Sequence, residues 1–465
     1  MSTYPWAAGY IDSDRPKIVT SRFQYDDGFT IERYQATGGY QALRAALGRT
    51  PGEVHEEVKA ANVLGRGGAG FPAGTKWGLM PAGKFPRYLV VNGDESEPGT
   101  YKDRLLMERD PHQLIEGCLI AAYAAGLSQV FLYIRGEMPL AHERVGQALN
   151  DAYAAGFVGK NILGTSFSID IVLHWGAGAY VVGEETALIE SLEGKRGEPR
   201  LKPPFFPAAI GLYGQPTIVN NVETLSNLPW LLTHGVEAYT AIGTATSPGT
   251  RMVAVSGHVQ RPGVYEIING STTFRDLLYG EEFCQGIRNG NELKAFVPGG
   301  GSAPWFTPEQ LDLPFEGRLV GAAGSMLGSG AIMVMDHTTD IPTAALTLTR
   351  FYAHESCGQC TPCREGGAWL ERVLQRVVDG RGTRADLDQL LEIGQSICPG
   401  DFPHASSSKL GLEATPFPYK MTTICFVGPS AFAPVHSALT LFRDEFEAKI
   451  VERRQIPVTV GAIES

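Results

Sequence analysis

Strand and helix signals alternate between residues 87 and 173, and no other feature of the chain constrains its fold as strongly. Three short apolar runs, typical of buried strands, cover residues 88–91, 130–134 and 169–173. Helix starts lie between them, at Pro111 after Asp110 and near Pro139, because proline favours the first turn of a helix. This order predicts an α/β fold in which helices cover a parallel sheet.

The rest of the chain carries two other patterns. Residues 251–336 combine short β-like runs with Gly- and Pro-rich turns, which predicts a small β-rich domain. Residues 337–465 show helical spacing of apolar residues, interrupted by a Pro- and Ser-rich insertion near 397–421. We therefore expect three domains, which cover residues 1–250, 251–336 and 337–465.

The composition excludes several classes of protein. The 465 residues carry a formal net charge of −11, whereas a nucleic acid or an anionic membrane surface requires clustered Lys and Arg. No apolar run approaches the roughly 18 residues that a membrane span requires. The first residues resemble neither a signal peptide nor a transit peptide. We expect a bacterial-type cytoplasmic protein that binds no nucleic acid and does not insert into a membrane.

A glycine-rich segment at residues 65–72 (GRGGAGFP) formally matches the G-x-G-x-x-G pattern. A helix-like stretch precedes it and Pro72 interrupts the helix that should follow, so it is not the usual dinucleotide fingerprint. Its backbone amides can instead wrap a phosphate or a flavin edge, with Lys76 adding positive charge. Asn220 and Asn221 add amides that suit the same ligands. The alternative is that both segments are ordinary turns.

Five carboxylates follow two of the predicted strands: Asp94, Glu95, Glu97, Glu184 and Glu185. The carboxyl ends of parallel strands meet at one edge of the sheet, where open α/β sheets bind their ligands. Carboxylates accept hydrogen bonds from ribose hydroxyls and from a nicotinamide carboxamide. The pattern predicts a nucleotide cleft, and the alternative is a pair of solvated acidic loops.

Three of the seven cysteines, Cys357, Cys360 and Cys363, form two consecutive C-x2-C steps. Such a triplet fits the corners of an iron–sulfur cubane, whereas structural zinc usually draws two separated pairs. His354 could complete a zinc tetrahedron, so zinc stays open as a weaker alternative, as do unliganded thiols. We predict a four-iron cluster in a reducing compartment.

The fourth ligand of that cluster is Cys398 or Cys425. Cys398 precedes Pro399, as cluster cysteines sometimes do, but Cys425 lies directly before a final amphipathic helix that could hold it. We therefore favour Cys425. Cys118 and Cys284 are expected to be small buried hydrophobic residues.

Five motifs, taken together and in order, resemble one protein family. They read GRGGAGFPAGTKW, NGDESEPGTYKDR, GAGAYVVGEETALIESLEGKRGEPRLKPPF, TIVNNVETL and HESCGQCTPCREG. They resemble the flavoprotein subunit of bacterial and mitochondrial complex I, and they are similar to the diaphorase subunits of NAD-linked hydrogenases and formate dehydrogenases. The resemblance implies a Rossmann-like FMN and NADH domain, a β-grasp (ubiquitin-like) domain over 251–336, and a helical bundle with a [4Fe-4S] cluster.

The resemblance also implies the residues of each site. FMN would contact Gly65, Gly67, Lys76, Asn92, Asp94, Tyr180, Gly183, Glu184, Asn220, Asn221 and Thr224. NADH would lie near Glu97 and Glu185 beside the flavin, with Phe71, Lys202 and Phe205 toward its adenosine end. The cluster ligands would be Cys357, Cys360, Cys363 and Cys425. Glu97 and Glu185 would position NADH and tune its reaction, since hydride transfer to a flavin requires no protein acid or base.

The implied activity is that of an NADH dehydrogenase, in which hydride passes from NADH to FMN and single electrons pass through the cluster toward quinone. The implied partners are a thioredoxin-like [2Fe-2S] subunit and a large iron–sulfur subunit, on the cytoplasmic side of the inner membrane. A diaphorase subunit of a hydrogenase or formate dehydrogenase is the nearest alternative, and a non-catalytic relay or scaffold subunit is an alternative of another class.

The chain departs from the family pattern in two places. Leu79 stands where the family often has an aromatic residue, so stacking on the adenine is expected to be weaker. The last cysteine of the family also follows the triplet sooner than Cys425 does, because the insertion with Cys398 intervenes.

Overall fold

The computed structural model describes residues 9–399 and 421–454. Most of the insertion predicted near 397–421 lies outside these residues. The described chain forms a mixed α/β structure with a parallel sheet, a second sheet of mixed direction and a group of carboxyl-terminal helices.

The first sheet contains four parallel strands. They are β1 (Tyr88–Gly93), β2 (Gln129–Ile134), β3 (Ile171–Trp175) and β4 (Thr217–Asn221), in the spatial order β3-β2-β1-β4. The chain therefore builds outward from β1 to β3 and then returns to the other side of β1. In open α/β sheets, ligands bind at such a switch point, outside the carboxyl ends of the strands.

Within the described residues, twelve helices accompany this sheet. They are α1 (Ile31–Ala36), α2 (Gln41–Leu47), α3 (Pro51–Ala60), α4 (Ala73–Trp77), α5 (Lys102–Arg109), α6 (Pro111–Ala124), α7 (Pro139–Ala154), α8 (Glu185–Leu192), α9 (Pro207–Ile210), α10 (Val222–Ser226), α11 (Leu228–His234) and α12 (Val236–Thr240). As the sequence predicts, α6 begins with Pro111, and the Asp110 side chain accepts a hydrogen bond from the backbone N–H of Gln113.

Alternate residues of β1 face two different layers, because side chains of a strand point to opposite faces. Leu89 and Val91 belong to the large core that contains α6 and α7. Val90 packs instead with Val182 and Leu188, and this layer also contains the four cysteines at 357, 360, 363 and 425. The cysteine region thus lies on the opposite side of the sheet from the large core.

The second sheet has the order β8-β7-β10-β9. After a short hairpin, β5 (Gly243–Thr244) and β6 (Ser247–Pro248), its elements are β7 (Thr250–Gly257), β8 (Gly263–Ile268), α13 (Phe274–Tyr279), β9 (Leu293–Val297), α14 (Gly317–Ala322) and β10 (Ala331–Asp336). The β7–β8 and β9–β10 pairs are antiparallel, whereas β7 and β10 are parallel.

The amino-terminal segment packs on this second sheet. Tyr10 pairs with Val264 of β8, and Ile11 is buried in the core of the sheet. The buried carboxylate of Glu266 accepts hydrogen bonds from the backbone N–H groups of Ile18, Val19 and Thr20 at 2.7–3.1 Å. Residues that are distant in sequence from 251–336 therefore complete this unit.

Five helices form the described carboxyl-terminal part, residues 337–399 and 421–454. They are α15 (Ile341–His354), α16 (Thr361–Val378), α17 (Arg384–Ile397), α18 (Val427–Leu441) and α19 (Arg443–Arg454). Thr422, near the start of the second described range, lies beside the end of α17, since its N–H donates to the carbonyl of Ile397 at 3.0 Å.

Several local expectations need correction. The third strand begins two residues later than predicted, and β9 has no counterpart among the predicted runs. Pro72 does not prevent a helix but directly precedes α4. The last predicted helix is two helices, and α18 is buried on nearly all sides rather than amphipathic. Among the residues described, no helix is long and apolar enough to cross a bilayer.

Candidate active site

The carboxyl edge of the parallel sheet brings most of the predicted nucleotide-binding residues together. Asn92, near the end of β1, is paired in register with Asn221 at the end of β4. The Asn92 amide donates to the carbonyl of Gly183 at 2.9 Å, and its oxygen accepts from the N–H of Asp94 at 3.1 Å. The side chain of Asn92 therefore joins the loops that follow β1 and β3.

The glycine-rich segment forms a tight loop against this edge. The N–H of Gly65 donates to the carbonyl of Phe71 at 3.0 Å, which closes the loop. A Cβ atom on Gly67 would lie only 3.1 Å from the Cβ of Asn221, and Gly68 adopts a φ of +127°. Both positions favour glycine because a side chain would be crowded or strained. The loop thus places bare backbone at the switch point, as a phosphate or flavin site requires.

Two lysines and two glutamates form a charge cluster beside the glycine loop. The Nζ of Lys76 lies 2.8 Å from Glu185, and the Nζ of Lys202 lies 2.7 Å from Glu184 and 3.2 Å from Glu185. Burial alone would raise the pKa of Glu185, but the two lysines outweigh it and lower the pKa to about 2. Lys76 is therefore neutralised within the protein, rather than being the free positive charge that the sequence suggested.

Glu184 also has a structural role that the sequence did not indicate. One of its oxygens accepts the N–H groups of Thr186 and Ala187 at the start of α8, at 2.8 and 3.0 Å. Negative charge is favourable at the amino end of a helix. The other oxygen holds Lys202.

Glu97 accepts four hydrogen bonds at the cleft, from three side-chain hydroxyls and one backbone N–H. It accepts from the Tyr180 hydroxyl at 2.6 Å, from Ser302 N–H at 2.8 Å and hydroxyl at 2.6 Å, and from the Tyr352 hydroxyl at 3.1 Å. Burial, together with the nearby Glu97 charge, raises the pKa of Tyr180 well above its usual value, so this phenol remains a donor. Glu97 therefore joins the sheet edge to the second sheet and to α15.

Glu95 does not belong to the cleft, contrary to the sequence-based expectation. It is 7% exposed, and its carboxylate accepts from the N–H groups of Lys102, Asp103 and Arg104 at 2.8–2.9 Å. It caps the amino end of α5, inside the protein. Four of the five predicted carboxylates remain at the cleft.

The predicted adenosine end is lined by exposed aromatic side chains. Phe71 is 47% exposed and Phe205 is 39% exposed, which is unusual for phenylalanine in a folded chain. Leu79 and Phe206 are also exposed, at 58% and 53%. Such side chains can stack on or cover an adenine ring, and Phe206 adds an aromatic surface that the sequence analysis did not single out.

The predicted cluster cysteines form a separate group that packs in one layer with side chains of α8. Cys357, Cys360, Cys363 and Cys425 share one layer with Val182 and Leu188. Cys360 immediately precedes α16, and Cys425 lies two residues before α18. The amino ends of both helices, which favour negative charge, are therefore adjacent to thiols that would carry the charge of an iron–sulfur cluster.

Cys398 lies in a different environment. It ends α17, is 2% exposed and packs in the core of the helical part, with neither His354 nor the triplet among its neighbours in that core. His354 itself is 85% exposed at its side chain and pairs with Glu355, so it offers little to the zinc alternative. In the described ranges, no three ligand side chains converge on one metal ion. Each cysteine of a cubane binds a different iron, so a cluster does not require that convergence.

Comparison with known proteins decides the family. A family model described as the Nuo51 FMN-binding domain matches residues 58–230, and one described as the NADH-ubiquinone oxidoreductase-F iron-sulfur binding region matches residues 343–449. The F subunit of the NADH-quinone oxidoreductase of Mycobacterium bovis is 47% identical over 426 residues, which cover 90% of this chain and 90% of that protein. This chain belongs to the F-subunit family of NADH-quinone oxidoreductases.

Other members of the F-subunit family give the same result. The F subunit of Streptomyces coelicolor is 45% identical over 437 residues, which cover 94% of this chain and 91% of that protein. The F subunit of Escherichia coli is 43% identical over 423 residues, covering 90% and 89%. Among solved structures, an air-oxidised NAD⁺-reducing [NiFe]-hydrogenase matches with a TM-score of 0.76 and 31% identity, over 94% of this chain and 67% of that chain.

Sequence reasoning missed several polar residues around the site of this F-subunit family member. Ser302 and Tyr352 hold Glu97, and Glu355 accepts the N–H of Tyr180 at 2.9 Å. None of them lies in a strand-end motif, so no sequence signal connected them to the cleft. The buried Cys118 and Cys284, by contrast, are confirmed as core residues with 0% exposure.

We expect Asp94 to make the flavin-free protein less stable as pH rises. Burial raises the pKa of Asp94 to about 7, although the hydrogen bond from Ser96 and the charge of Arg135 oppose it. The unfolded value is about 3.9, so the folded chain holds a proton between about pH 4 and 7 that the unfolded chain has released. Stability should therefore fall through this window. Asp94→Asn should raise the Tm more at pH 8 than at pH 5, as measured by thermal unfolding.

The matched control for this prediction is Asp170→Asn, which removes an exposed carboxylate that accepts a hydrogen bond from Tyr153. Its change in Tm should be nearly the same at both pH values. An Asp94→Asn effect that is equal at pH 5 and pH 8 would contradict the raised pKa.

Proposed function

We propose that this chain is the NADH-oxidising flavoprotein subunit of an NADH:quinone oxidoreductase, with FMN and one [4Fe-4S] cluster. When bound, FMN would supply the conversion of a two-electron hydride donor into single electrons. The protein residues bind and orient NADH, exclude water and hold the charges around the reacting rings.

One observation carries this proposal: a single turn of the chain touches both predicted cofactor sites. The 3₁₀ turn Tyr180–Gly183 is hydrogen-bonded to Asn92 and Glu97 on one side. On the other side, Val181 and Val182 of this turn pack in the same layer as the four cysteine thiols. A flavin at the sheet edge and a cluster at the thiols would therefore be separated by little more than one layer of side chains, which suits direct electron transfer.

The residues at the sheet edge fit FMN. Gly65 and Gly67 let the backbone of the loop pack closely on Phe71 and Asn221, since a Cβ at either position would lie 3.1 Å from them, and Asn220 and Asn221 end β4. Thr224 accepts the N–H of Arg66 through its hydroxyl at 2.9 Å, so it fixes the same loop. Backbone amides, amide side chains and a hydroxyl are the donors that a flavin phosphate and its polyol chain require.

The residues beside this edge fit NADH. Glu97 and Glu185 are positioning carboxylates for the nicotinamide side, and Lys202 links Glu185 to the segment that carries Phe205. The exposed rings of Phe71 and Phe205 would cover the adenine. A nucleotide bound there would extend along α8, from Glu185 at its amino end toward Phe205.

We assign Cys357, Cys360, Cys363 and Cys425 as the cluster ligands. We also propose that the chain has three domains, at residues 1–250, 251–336 and 337–465, and that the second is a β-grasp domain. Its partners would be a thioredoxin-like [2Fe-2S] subunit and a large iron–sulfur subunit, and the assembly would lie on the cytoplasmic side of the inner membrane. The relatives are named as subunits, which supports the proposal that this chain belongs to a multisubunit complex. The match to a hydrogenase supports the diaphorase subunit as the nearest alternative.

The test of the function uses the full chain, purified with its cofactors alone or with its [2Fe-2S] partner. It should oxidise NADH with ferricyanide as the electron acceptor and should release FMN on denaturation. Purified protein that contains FMN and iron but does not oxidise NADH would overturn the enzyme assignment and favour the relay or scaffold alternative.

NADH should be strongly preferred to NADPH. The two lysines of the cleft, Lys76 and Lys202, are already paired with Glu184 and Glu185, so the 2′-phosphate of NADPH would meet carboxylates without a free cation in this cluster. Like charges placed together cost several kcal/mol, which corresponds to a preference of about a hundredfold or more. The measurement is kcat/KM for each nucleotide with ferricyanide, and comparable values would contradict this assignment of the cleft.

A further inference from the structure

A buried group of charged side chains lies directly behind the proposed flavin site. Its members are Lys102 and Asp103 at the start of α5 and Glu223 at the start of α10, which are 1%, 4% and 0% exposed. The Nζ of Lys102 lies 2.8 Å from the Asp103 carboxylate and 2.6 Å from Glu223. Burial of charges is costly unless they are paired, so these three side chains must act as one unit.

This buried group reaches the sheet edge through one amide. The second oxygen of Asp103 accepts the Nδ2 of Asn221 at 2.6 Å, while the Oδ1 of Asn221 accepts the N–H of Thr224 at 3.3 Å. Both polar atoms of the Asn221 side chain are therefore held, and the amide cannot rotate without losing a partner. A carboxylate that accepts from an amide also determines which end of the amide points toward it.

Asn221 in turn supports the glycine loop. The Cβ of Asn221 lies beneath Gly67, where even one added carbon would be 3.1 Å away. The preceding residue of the loop, Arg66, has anchors of its own: its N–H donates to Thr224 and its guanidinium donates to the carbonyls of Pro248 and Thr250. Its Nε also lies 3.9 Å from the Glu223 carboxylate of the buried group. The backbone amides of the loop are thus positioned from below by Asn221 and from the side by Arg66.

We propose that Asp103 is a positioning residue for FMN, acting through Asn221 on the glycine loop at residues 65–70. This inference rests on the proposed function, because it takes the loop as the flavin site. Lys102 and Glu223 keep Asp103 oriented inside the protein. Asp103 is not expected to contact the flavin itself, since both of its oxygens are used by Lys102 and Asn221.

The first test compares FMN binding by three forms of the full chain, each purified with its cluster and then stripped of flavin. D103N weakens the charge-assisted hydrogen bond to Asn221, so the Kd for FMN should rise about tenfold, as measured by the quenching of FMN fluorescence. The matched control is E108Q, which removes a carboxylate from the same helix, 3.7 Å from Arg104 and outside the buried group. E108Q should bind FMN like the wild type.

The second test exchanges the two partners. N221D retains an acceptor for the N–H of Thr224 but faces Asp103 with a second carboxylate, so FMN binding should weaken further. In D103N/N221D the amide and the carboxylate have changed places. The restored hydrogen bond should bring the Kd well below that of N221D, although the amide that Asn221 offers to FMN is still missing. A purely structural role of Asp103 would not give this recovery.

The outcomes separate the inference from the function on which it rests. Wild-type protein that does not bind FMN would overturn the proposed function. Wild-type protein that binds FMN while D103N binds equally well would overturn the inference alone. If D103N does not fold, the exchanged variant decides: recovery of folding and FMN binding supports the inference, and failure to recover either one overturns it.

Discussion

Cys425→Ala should abolish the [4Fe-4S] signal in electron paramagnetic resonance or convert it to that of a three-iron cluster. Cys425 shares one layer with the cysteine triplet, and the chain around it also reaches the triplet, since the N–H of Ile424 donates to the Cys360 sulfur at 3.3 Å. A cubane that loses one of four thiolates retains no protein ligand on one iron. This is the largest effect that we expect from a single substitution.

Cys398→Ala is the matched control for this experiment. Cys398 is buried in the core of the helical part and not in the layer of the triplet, so its replacement should leave the cluster signal and the iron content unchanged. The removal of one buried sulfur should cost only about 1 kcal/mol of unfolding free energy. Loss of the signal in Cys398→Ala, with retention in Cys425→Ala, would mean that the residue at the start of the insertion is the ligand.

Glu97→Leu should raise the KM for NADH about 10- to 100-fold while FMN remains bound. The substitution removes an acceptor that serves Tyr180, Ser302 and Tyr352, and a hydrogen bond to a charged group is worth about 1.5–3 kcal/mol. We assign this carboxylate to the nicotinamide side, so NADH should lose affinity and the flavin should not. Steady-state kinetics with ferricyanide and the FMN content of the purified chain measure the two effects separately.

Glu97→Gln is the conservative counterpart, because the side-chain amide retains one acceptor for Ser302 and the size of the original residue. It should raise the KM for NADH less than Glu97→Leu and should retain the melting temperature more closely. If Glu97→Gln loses FMN while its KM for NADH is unchanged, Glu97 belongs to the flavin site and the assignment is wrong.

Candidate site residues could be predicted from the sequence where the pattern that indicates them spans only a few neighbouring residues. The segments that follow β1 and β3 could be predicted as ligand-binding because apolar runs, helix starts and acidic residues lie within a few positions of one another. The cysteine triplet could be predicted as a cluster site for the same reason. Phe71, Leu79 and Phe205 could be named only through resemblance to the family, since exposure of a side chain has no local signature.

The roles of individual carboxylates could not be predicted in this way. Asp94, Glu95 and Glu97 lie within four residues, yet Glu95 caps α5, Asp94 is half-buried beside Ser96, and Glu97 holds three side chains from other parts of the chain. Each role depends on which donors the fold brings to the carboxylate. Those donors are up to 255 residues away in sequence, as Tyr352 is from Glu97.

The sequence by itself determined the α/β class, the edge of the sheet where most of the predicted site residues meet and the three cysteines of the triplet, because all of these follow from short-range periodicity and spacing. Only the tertiary structure decided that Lys76 is neutralised by Glu185, that Asp103 holds Asn221, and that Cys425 rather than Cys398 lies in the layer of the triplet. The physical reason is the same in each case. Charge pairing, burial and thiol proximity are properties of contacts between distant segments, and these contacts exist only once the chain has folded.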